Sequence, residues 1–236
     1  LFSGTYFYID ERYRSRLEQL DITSFEQAMS VSIGEVMEKE LSRESRRIKQ
    51  DGHVAYLKRQ FAVSKRLCLE SNLMLQKAHT PAVNEDIYIK QLKSRDFLVM
   101  DVMAVGERRE NGFPIKGFIL VDEVPGFQLD RFLTDTDDES VTQDLLTAYG
   151  QLIAKLHQQG FFAPLRVKDV IIRNVERCEL VMIDREIRNP YPRIRSKKRA
   201  QRSLRDGFRR TRREFKKFND AMEAIVMSAY QEQMNS

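Results

Sequence analysis

A lysine closing a short apolar run, a glutamate in a helical stretch behind it and an aspartate closing a second apolar run can together hold a nucleoside triphosphate. Here they are Lys58, ending His53-Val54-Ala55-Tyr56-Leu57-Lys58, then Glu70, and Asp184, ending Leu180-Val181-Met182-Ile183-Asp184. The ammonium group is a fixed cation for the α and β phosphates, the glutamate orients it, and the aspartate can hold Mg²⁺ between phosphates. A strand lysine or a helix glutamate taken singly is more often a solvated surface residue; the three in this order and on these elements are more specific. The backbone of Glu123-Val124-Pro125, just after an apolar run, would meet the edge of a nucleotide base, with Val54 and Leu120 as apolar walls.

The elements that must position these groups can be read from turns and periodicity. Tyr6–Ile9 reads as a strand, Glu11–Leu20 as a brief helix, and Ser24 or Thr23 caps a second one. Ile33–Ile48 alternates weakly and is expected to form two irregular strands. The Asp51-Gly52 turn then leads into the strand Val54–Arg59, a hairpin signal. Leu67, Leu69, Leu73, Met74 and Leu75 fall at helical spacing, so a helix over about 64–77 carries Glu70, and Thr80-Pro81 ends it. Ile87–Ile89, Phe97–Met103 and Gly117–Val121 read as successive strands, the last two separated by Asn111-Gly112. After a break at Glu123–Gly126 comes a short helix at Leu129–Leu133. A long helix follows from Val141 to Gln159, capped by Ser140 with Gln143 as its box partner and stopped by Gly160. Two short strands, Val170–Ile172 and Leu180–Ile183, precede a helical, basic C-terminal region. Strands come first and helices second, an α+β arrangement with its cleft along the break. It divides at residues 1–122 and 123–236.

At 236 residues and 42% hydrophobic, the chain can bury a substantial core. No stretch approaches the roughly 18 to 20 uncharged apolar residues of a membrane span, and the first residues lack a secretion pattern. Cys68 and Cys178 fit no CxxC spacing and His53, His79 and His157 are scattered, so free thiols and no His/Cys metal site are expected. The net charge of +5 is uneven: from Tyr191 onward there are 13 Lys/Arg against 5 Asp/Glu. That local basic surface, within about 193–236, suits an anionic partner, though a solvated helix face is about as common. Apart from Phe208, no aromatic residue interleaves with the cations of Arg193–Arg213, which argues against specific nucleic-acid binding.

Several segments resemble the bacterial lipopolysaccharide kinases that phosphorylate Kdo or heptose, a branch of the protein-kinase-like superfamily. These are Tyr56-Leu57-Lys58-Arg59, Leu69-Glu70-Ser71-Asn72, Val121-Asp122-Glu123-Val124-Pro125-Gly126-Phe127-Gln128-Leu129, and Gly160-Phe161-Phe162 followed by Val181-Met182-Ile183-Asp184-Arg185. The resemblance runs from about Ile9 to Arg205. It implies a two-lobed kinase fold with a β-rich N-lobe and an α-rich C-lobe, ATP and Mg²⁺ as cofactors, and an inner-core sugar hydroxyl as acceptor. By position, Lys58 is the phosphate-binding lysine, Glu70 its partner, Glu123 and Val124 line the base, and Asp184 binds the metal. A cytoplasmic protein visiting the inner face of the membrane is expected, with the lipopolysaccharide core or an anionic membrane surface as partner, and a protein partner is open.

The chain departs from that pattern where chemistry would occur. Similar kinases carry an aspartate shortly after the Gly-Phe pair to take the hydroxyl proton, and an Asn or His metal ligand five positions later. Those positions hold Leu165 and Val170, and losing such a base costs about a hundredfold or more in rate. In a shifted register, Asp169 is the base and Asn174 the metal ligand. The nucleotide loop offers only Gly34, with Arg43, Arg46 and Arg47 as candidate cationic substitutes. Two readings stand: a sugar kinase using Asp169, or a pseudokinase that binds nucleotide or a partner without efficient transfer.

Overall fold

The computed structural model describes residues 2–64, 77–184, 187 and 189–236. The chain forms two compact units: Leu1–Lys90 with Met100–Glu123 and Glu186–Pro190, and Gln91–Val99 with Val124–Arg185 and Tyr191–Ser236. The helix expected over 64–77, with Glu70 and Cys68, lies almost wholly outside the described residues.

The first unit is organised by tight turns between antiparallel strands. Its sheet contains β1 (Gly4–Ile9), β2 (Glu35–Lys39), β3 (Arg43–Gln50), β4 (His53–Gln60), β5 (Val102–Glu110) and β6 (Phe113–Asp122), in the order β1-β5-β6-β4-β3-β2. Asp51 and Gly52 (φ 49° and 79°) turn β3 into β4, and Asn111 and Gly112 (φ 49° and 81°) turn β5 into β6, the left-handed pairs that match strand twist. One sheet face packs on two short helices, α1 (Arg14–Gln19) and α2 (Phe25–Ser30), the latter capped by Ser24, whose side chain accepts from the Gln27 amide. Leu17, Ile22, Phe25, Leu57, Met103, Phe118 and Leu120 form the core there. Leu120 is therefore a core residue and does not line a pocket wall.

Two strand expectations fail. Ile87–Ile89 belongs to a helix, α3 (Pro81–Lys93). Pro81 is its first residue, where the missing N–H costs nothing, so the Thr80-Pro81 pair starts a helix. Asn84, Glu85 and Asp86 are buried alongside Ala82, Val83, Tyr88, Ile89 and Leu92, which erases the polar face that periodicity needs. Phe97–Asp101 is not strand apart from a single bridge between Val99 and Met182; β5 starts at Val102 and runs on through charged residues.

The second unit is mainly helical, with α4 (Leu129–Asp135), α5 (Glu139–Gln158), α6 (Lys197–Glu214) and α7 (Asp220–Asn235). Its small sheet orders β7 (Phe127–Gln128), β8 (Val170–Asn174) and β9 (Glu179–Met182) sequentially. The cap of α5 is Asp138, whose carboxylate accepts from the Ser140 and Val141 amides; Ser140 instead donates its hydroxyl to Asp138. A carboxylate at the positive helix end outcompetes the neighbouring hydroxyl. Helices α5, α6 and α7 meet at His157, 2% exposed: Tyr230 Oη lies 3.0 Å from its Nδ1 and Ser203 Oγ 3.0 Å from its Nε2. Burial holds this imidazole down at about 4. Gly160, at φ +83°, ends the α5 region; a Cβ there would collide with the Arg193 carbonyl, and the Arg193 amide donates to the Gly160 carbonyl at 2.9 Å. Among the described residues no helix is long and apolar enough to cross a membrane.

Candidate functional site

Strand alternation turns Tyr56, Lys58 and Gln60 to the face of the sheet opposite Ala55 and Leu57. Helix α3 covers that face: the Ala82 amide donates to Gln60 Oε1, and Lys58 Nζ donates to Glu85 Oε1 at 3.0 Å. Lys58 is 26% exposed at its side chain and Glu85 8%. The sequence missed Glu85, though Thr80-Pro81 followed by a glutamate one turn into a helix was the available signal. Glu70, expected in this role, lies outside the described residues.

Glu85 is held in place from a distance. The Glu107 carboxylate on β5, buried, accepts from the Thr80 amide (2.9 Å), from Arg109 Nη1 (2.7 Å), and lies 3.0 Å from His79 Nδ1. Burial pushes this carboxyl up, but His79, the Thr80 amide and Arg109 outweigh that and keep it below its ordinary value. Thr80 in turn accepts the Val83 amide on its hydroxyl, so the first turn of α3 is tied to the sheet.

At the end of β6, the Glu123 amide donates to the Val54 carbonyl at 3.0 Å and its carboxylate takes a hydrogen bond from Tyr56 Oη at 2.9 Å, with Arg47 at 3.6 Å. The arginines considered as substitutes for loop glycines have partners of their own. Arg43 pairs with Glu38 and Glu40; Arg46 bonds buried Glu44 and the Ser32 carbonyl; Arg47 pairs with Glu123. Gly34, at φ +82°, sits against the Arg47 carbonyl, so it serves close strand approach.

In the second unit, Asp184 follows β9 with φ +47°, a left-handed conformation that aspartate adopts more readily than most residues, as Asp51 and Asn111 do in their turns. The Ile183 amide donates to the Asp169 carbonyl at 2.8 Å, which brings Asp169 alongside the residue before Asp184. Asp169, 3% exposed, enters β8 from a short 3₁₀ turn. Both its carboxylate oxygens are taken by Arg166, with Nε to Oδ2 and Nη2 to Oδ1 each at 2.7 Å. Glu214 reaches Arg166 at 3.5 Å and Lys168 at 3.1 Å. Burial alone would lower the Arg166 guanidinium, but Asp169 first, then Glu214 and Asp184, hold it above its ordinary value.

Leu165 is buried, with its carbonyl bonded by Tyr149 Oη at 2.8 Å, and Val170 is fully buried in β8. Asn174 does not join Asp169. It sits at the far end of β8, about 16 Å of extended chain away, where its Oδ1 caps the hairpin turn by accepting the Arg177 amide. One metal ion cannot bridge that pair.

The donors suit a metal only in part. Among the described residues no group of three His, Cys, Asp or Glu could hold an ion. Mg²⁺ takes one or two carboxylates and completes its shell with phosphates and waters, so Asp184 fits an ion arriving with a nucleotide. A second position at Asp169 does not fit, because a guanidinium already occupies both oxygens.

Helix α6 presents a separate surface. Lys198, Arg202, Arg205, Arg209 and Arg213 form one stripe opposite the buried Ala200, Ser203, Leu204, Gly207, Phe208 and Thr211. The stripe extends about 22 Å. Ile194, just before α6, is 88% exposed, and its carbonyl accepts from Arg199 Nη1 at 3.2 Å.

A family model for the lipopolysaccharide kinase (Kdo/WaaP) family matches residues 31–230. No curated protein matches the sequence significantly. Among solved structures, WaaP in complex with acyl carrier protein superposes with a TM-score of 0.68 at 16% identity, covering 96% of this chain and 89% of that one. WbdD gives 0.48 at 14% identity over 86% and 46%, and Rad53 in complex with AMP-PNP gives 0.41 at 14% over 97% and 67%. At such identities the likeness speaks for the fold, and the argument rests on WaaP.

Proposed function

Because the chain belongs to the lipopolysaccharide kinase (Kdo/WaaP) family and has a protein-kinase-like fold, we propose that it binds ATP with Lys58 and Asp184, with Glu85 as the glutamate that orients the lysine. The observation that carries this reading is the Lys58–Glu85 pair at 3.0 Å, on a strand and a helix whose first turn is fixed by Glu107. A free surface lysine has no use for a nearly buried carboxylate, whereas a phosphate-binding lysine must be aimed. Glu123 and Val124 would line the base, and Mg²⁺ would arrive with the nucleotide at Asp184.

Transfer of the γ-phosphoryl group to a Kdo or heptose hydroxyl of the inner core needs a group to take the hydroxyl proton. Asp169 is the acid in that loop, and it can serve only after leaving Arg166. The Arg166–Asp169 fork therefore favours the second reading, a pseudokinase that binds nucleotide without efficient transfer. The cationic stripe of α6 suits the phosphorylated core and the anionic inner face of a membrane, where a cytoplasmic protein would meet this substrate. Exposed Ile194 adds an apolar contact beside the cations. The WaaP structure contains acyl carrier protein, so a protein partner for this chain belongs to the same proposal.

Isothermal titration with ATP, on the intact chain and on Lys58→Met, Glu85→Gln and Asp184→Asn, tests the reading. Loss of affinity of about tenfold or more in each variant supports it; wild-type affinity in Lys58→Met refutes it. Mass spectrometry of core oligosaccharide incubated with protein and ATP then separates the kinase from the pseudokinase.

A further inference from the structure

Arg166 lies in the loop before β8, has no role in the family pattern, and is surrounded by carboxylates. It forks Asp169 through two 2.7 Å bonds, stands within reach of Glu214, and feels the charge of Asp184. The Ile183 amide donates to the Asp169 carbonyl, so the backbone of Asp169 runs beside the residue that precedes Asp184. Two carboxylates held together would repel each other and attract a divalent ion. Here the cation that holds Asp169 and feels the charge of Asp184 is part of the chain.

We propose that Arg166 is a resident substitute for a divalent metal ion: its guanidinium neutralises Asp169 where a second ion would sit, so the chain binds nucleoside triphosphate phosphates with at most one Mg²⁺. The inference rests on the nucleotide-binding reading above and adds to it the metal requirement of the site. A guanidinium is planar and never deprotonates, and it matches both carboxylate and phosphate, so it can hold Asp169 and still offer N–H donors to a phosphate oxygen. An arginine cannot act as the Lewis acid that a second ion would supply. The same substitution thus keeps binding and weakens transfer.

The test has two arms on the full chain. In the first, Mn²⁺ is titrated without nucleotide into wild type, Arg166→Gln and Arg166→Lys, with bound ion read by electron paramagnetic resonance and folding checked by circular dichroism. Arg166→Gln should bind Mn²⁺ at least tenfold more tightly than wild type, and Arg166→Lys should stay near wild type because the positive charge remains. Equal Mn²⁺ affinity in wild type and Arg166→Gln overturns the proposal. In the second, ATP binding is measured in EDTA and in excess Mg²⁺. Wild type should lose no more than about tenfold in EDTA, and Arg166→Gln should lose far more. A wild type that binds ATP only with Mg²⁺, with the same dependence in Arg166→Gln, overturns the proposal and leaves the nucleotide site intact; no ATP binding under either condition overturns both. Arg166→Lys guards against misfolding of Arg166→Gln: it keeps the positive charge and should retain binding in EDTA, and its loss of that binding also counts against the proposal.

Discussion

Acidification should loosen the helical unit through one residue, His157. Above the ordinary imidazole value of 6.5 the side chain is neutral in both folded and unfolded chains, so its full contribution is present. Between 6.5 and about 4 the unfolded chain takes up a proton that the buried ring excludes, and stability falls. Below about 4 both states are protonated and the loss stops growing. The full gap corresponds to roughly 3 kcal/mol, and at pH 5 the loss is about 2 kcal/mol. The assay is urea unfolding followed by fluorescence at pH 7 and pH 5, for wild type and His157→Gln. Other carboxylates titrate in this window, so the informative quantity is the difference between the two proteins' pH dependences. The glutamine variant should be less stable at pH 7, having lost the paired bonds to Tyr230 and Ser203, and should lose about 2 kcal/mol less than wild type on going to pH 5. Identical pH dependence in the two proteins would refute the reasoning, since it would mean that the ring titrates freely in the folded state.

Glu107→Gln should destabilise the first unit by about 2 kcal/mol, since Arg109 and the Thr80 amide lose a charged acceptor; hydrogen exchange should show the first turn of α3 opening earlier, and ATP affinity should fall although Glu107 touches no phosphate. Gly160→Ala should cost at least about 2 kcal/mol in thermal or urea unfolding, because φ +83° and the Arg193 carbonyl both oppose a Cβ. Combined Arg202→Glu, Arg205→Glu and Arg209→Glu should reduce sedimentation with vesicles containing anionic lipid by more than about a hundredfold, at roughly 1 kcal/mol per cation, with no change in ATP affinity. Undiminished vesicle binding would remove the stripe from the membrane reading.

The features legible in the sequence were those written in local chemistry. Asp51-Gly52 and Asn111-Gly112 announced their hairpins because only a few residue types tolerate consecutive left-handed positions, and the apolar stripe of α5 announced a helix. Lys58 and Asp184 stood out because each closes an apolar strand. What escaped depended on burial. Helix α3 carries Asn84, Glu85 and Asp86 inside the unit, so its pattern mimics neither a surface helix nor a strand, and Glu85 stays hidden in it. Asp138 displaced Ser140 as the α5 cap through charge. The spacing between Asp169 and Asn174 suggested a ligand pair, but five residues of extended strand separate what five residues of loop can join. Arg166 gave no sign, since its meaning lies in three carboxylates contributed by separate parts of the chain.

The tether between Glu107 and the start of α3 couples that helix to its sheet. A helix that swings away would break the Lys58–Glu85 pair. Here such a swing would strip the Thr80 amide from a buried carboxylate that Arg109 and His79 still hold, at a cost of about 1.5 kcal/mol. The Glu107 tether therefore holds α3 in the position that pairs Glu85 with Lys58.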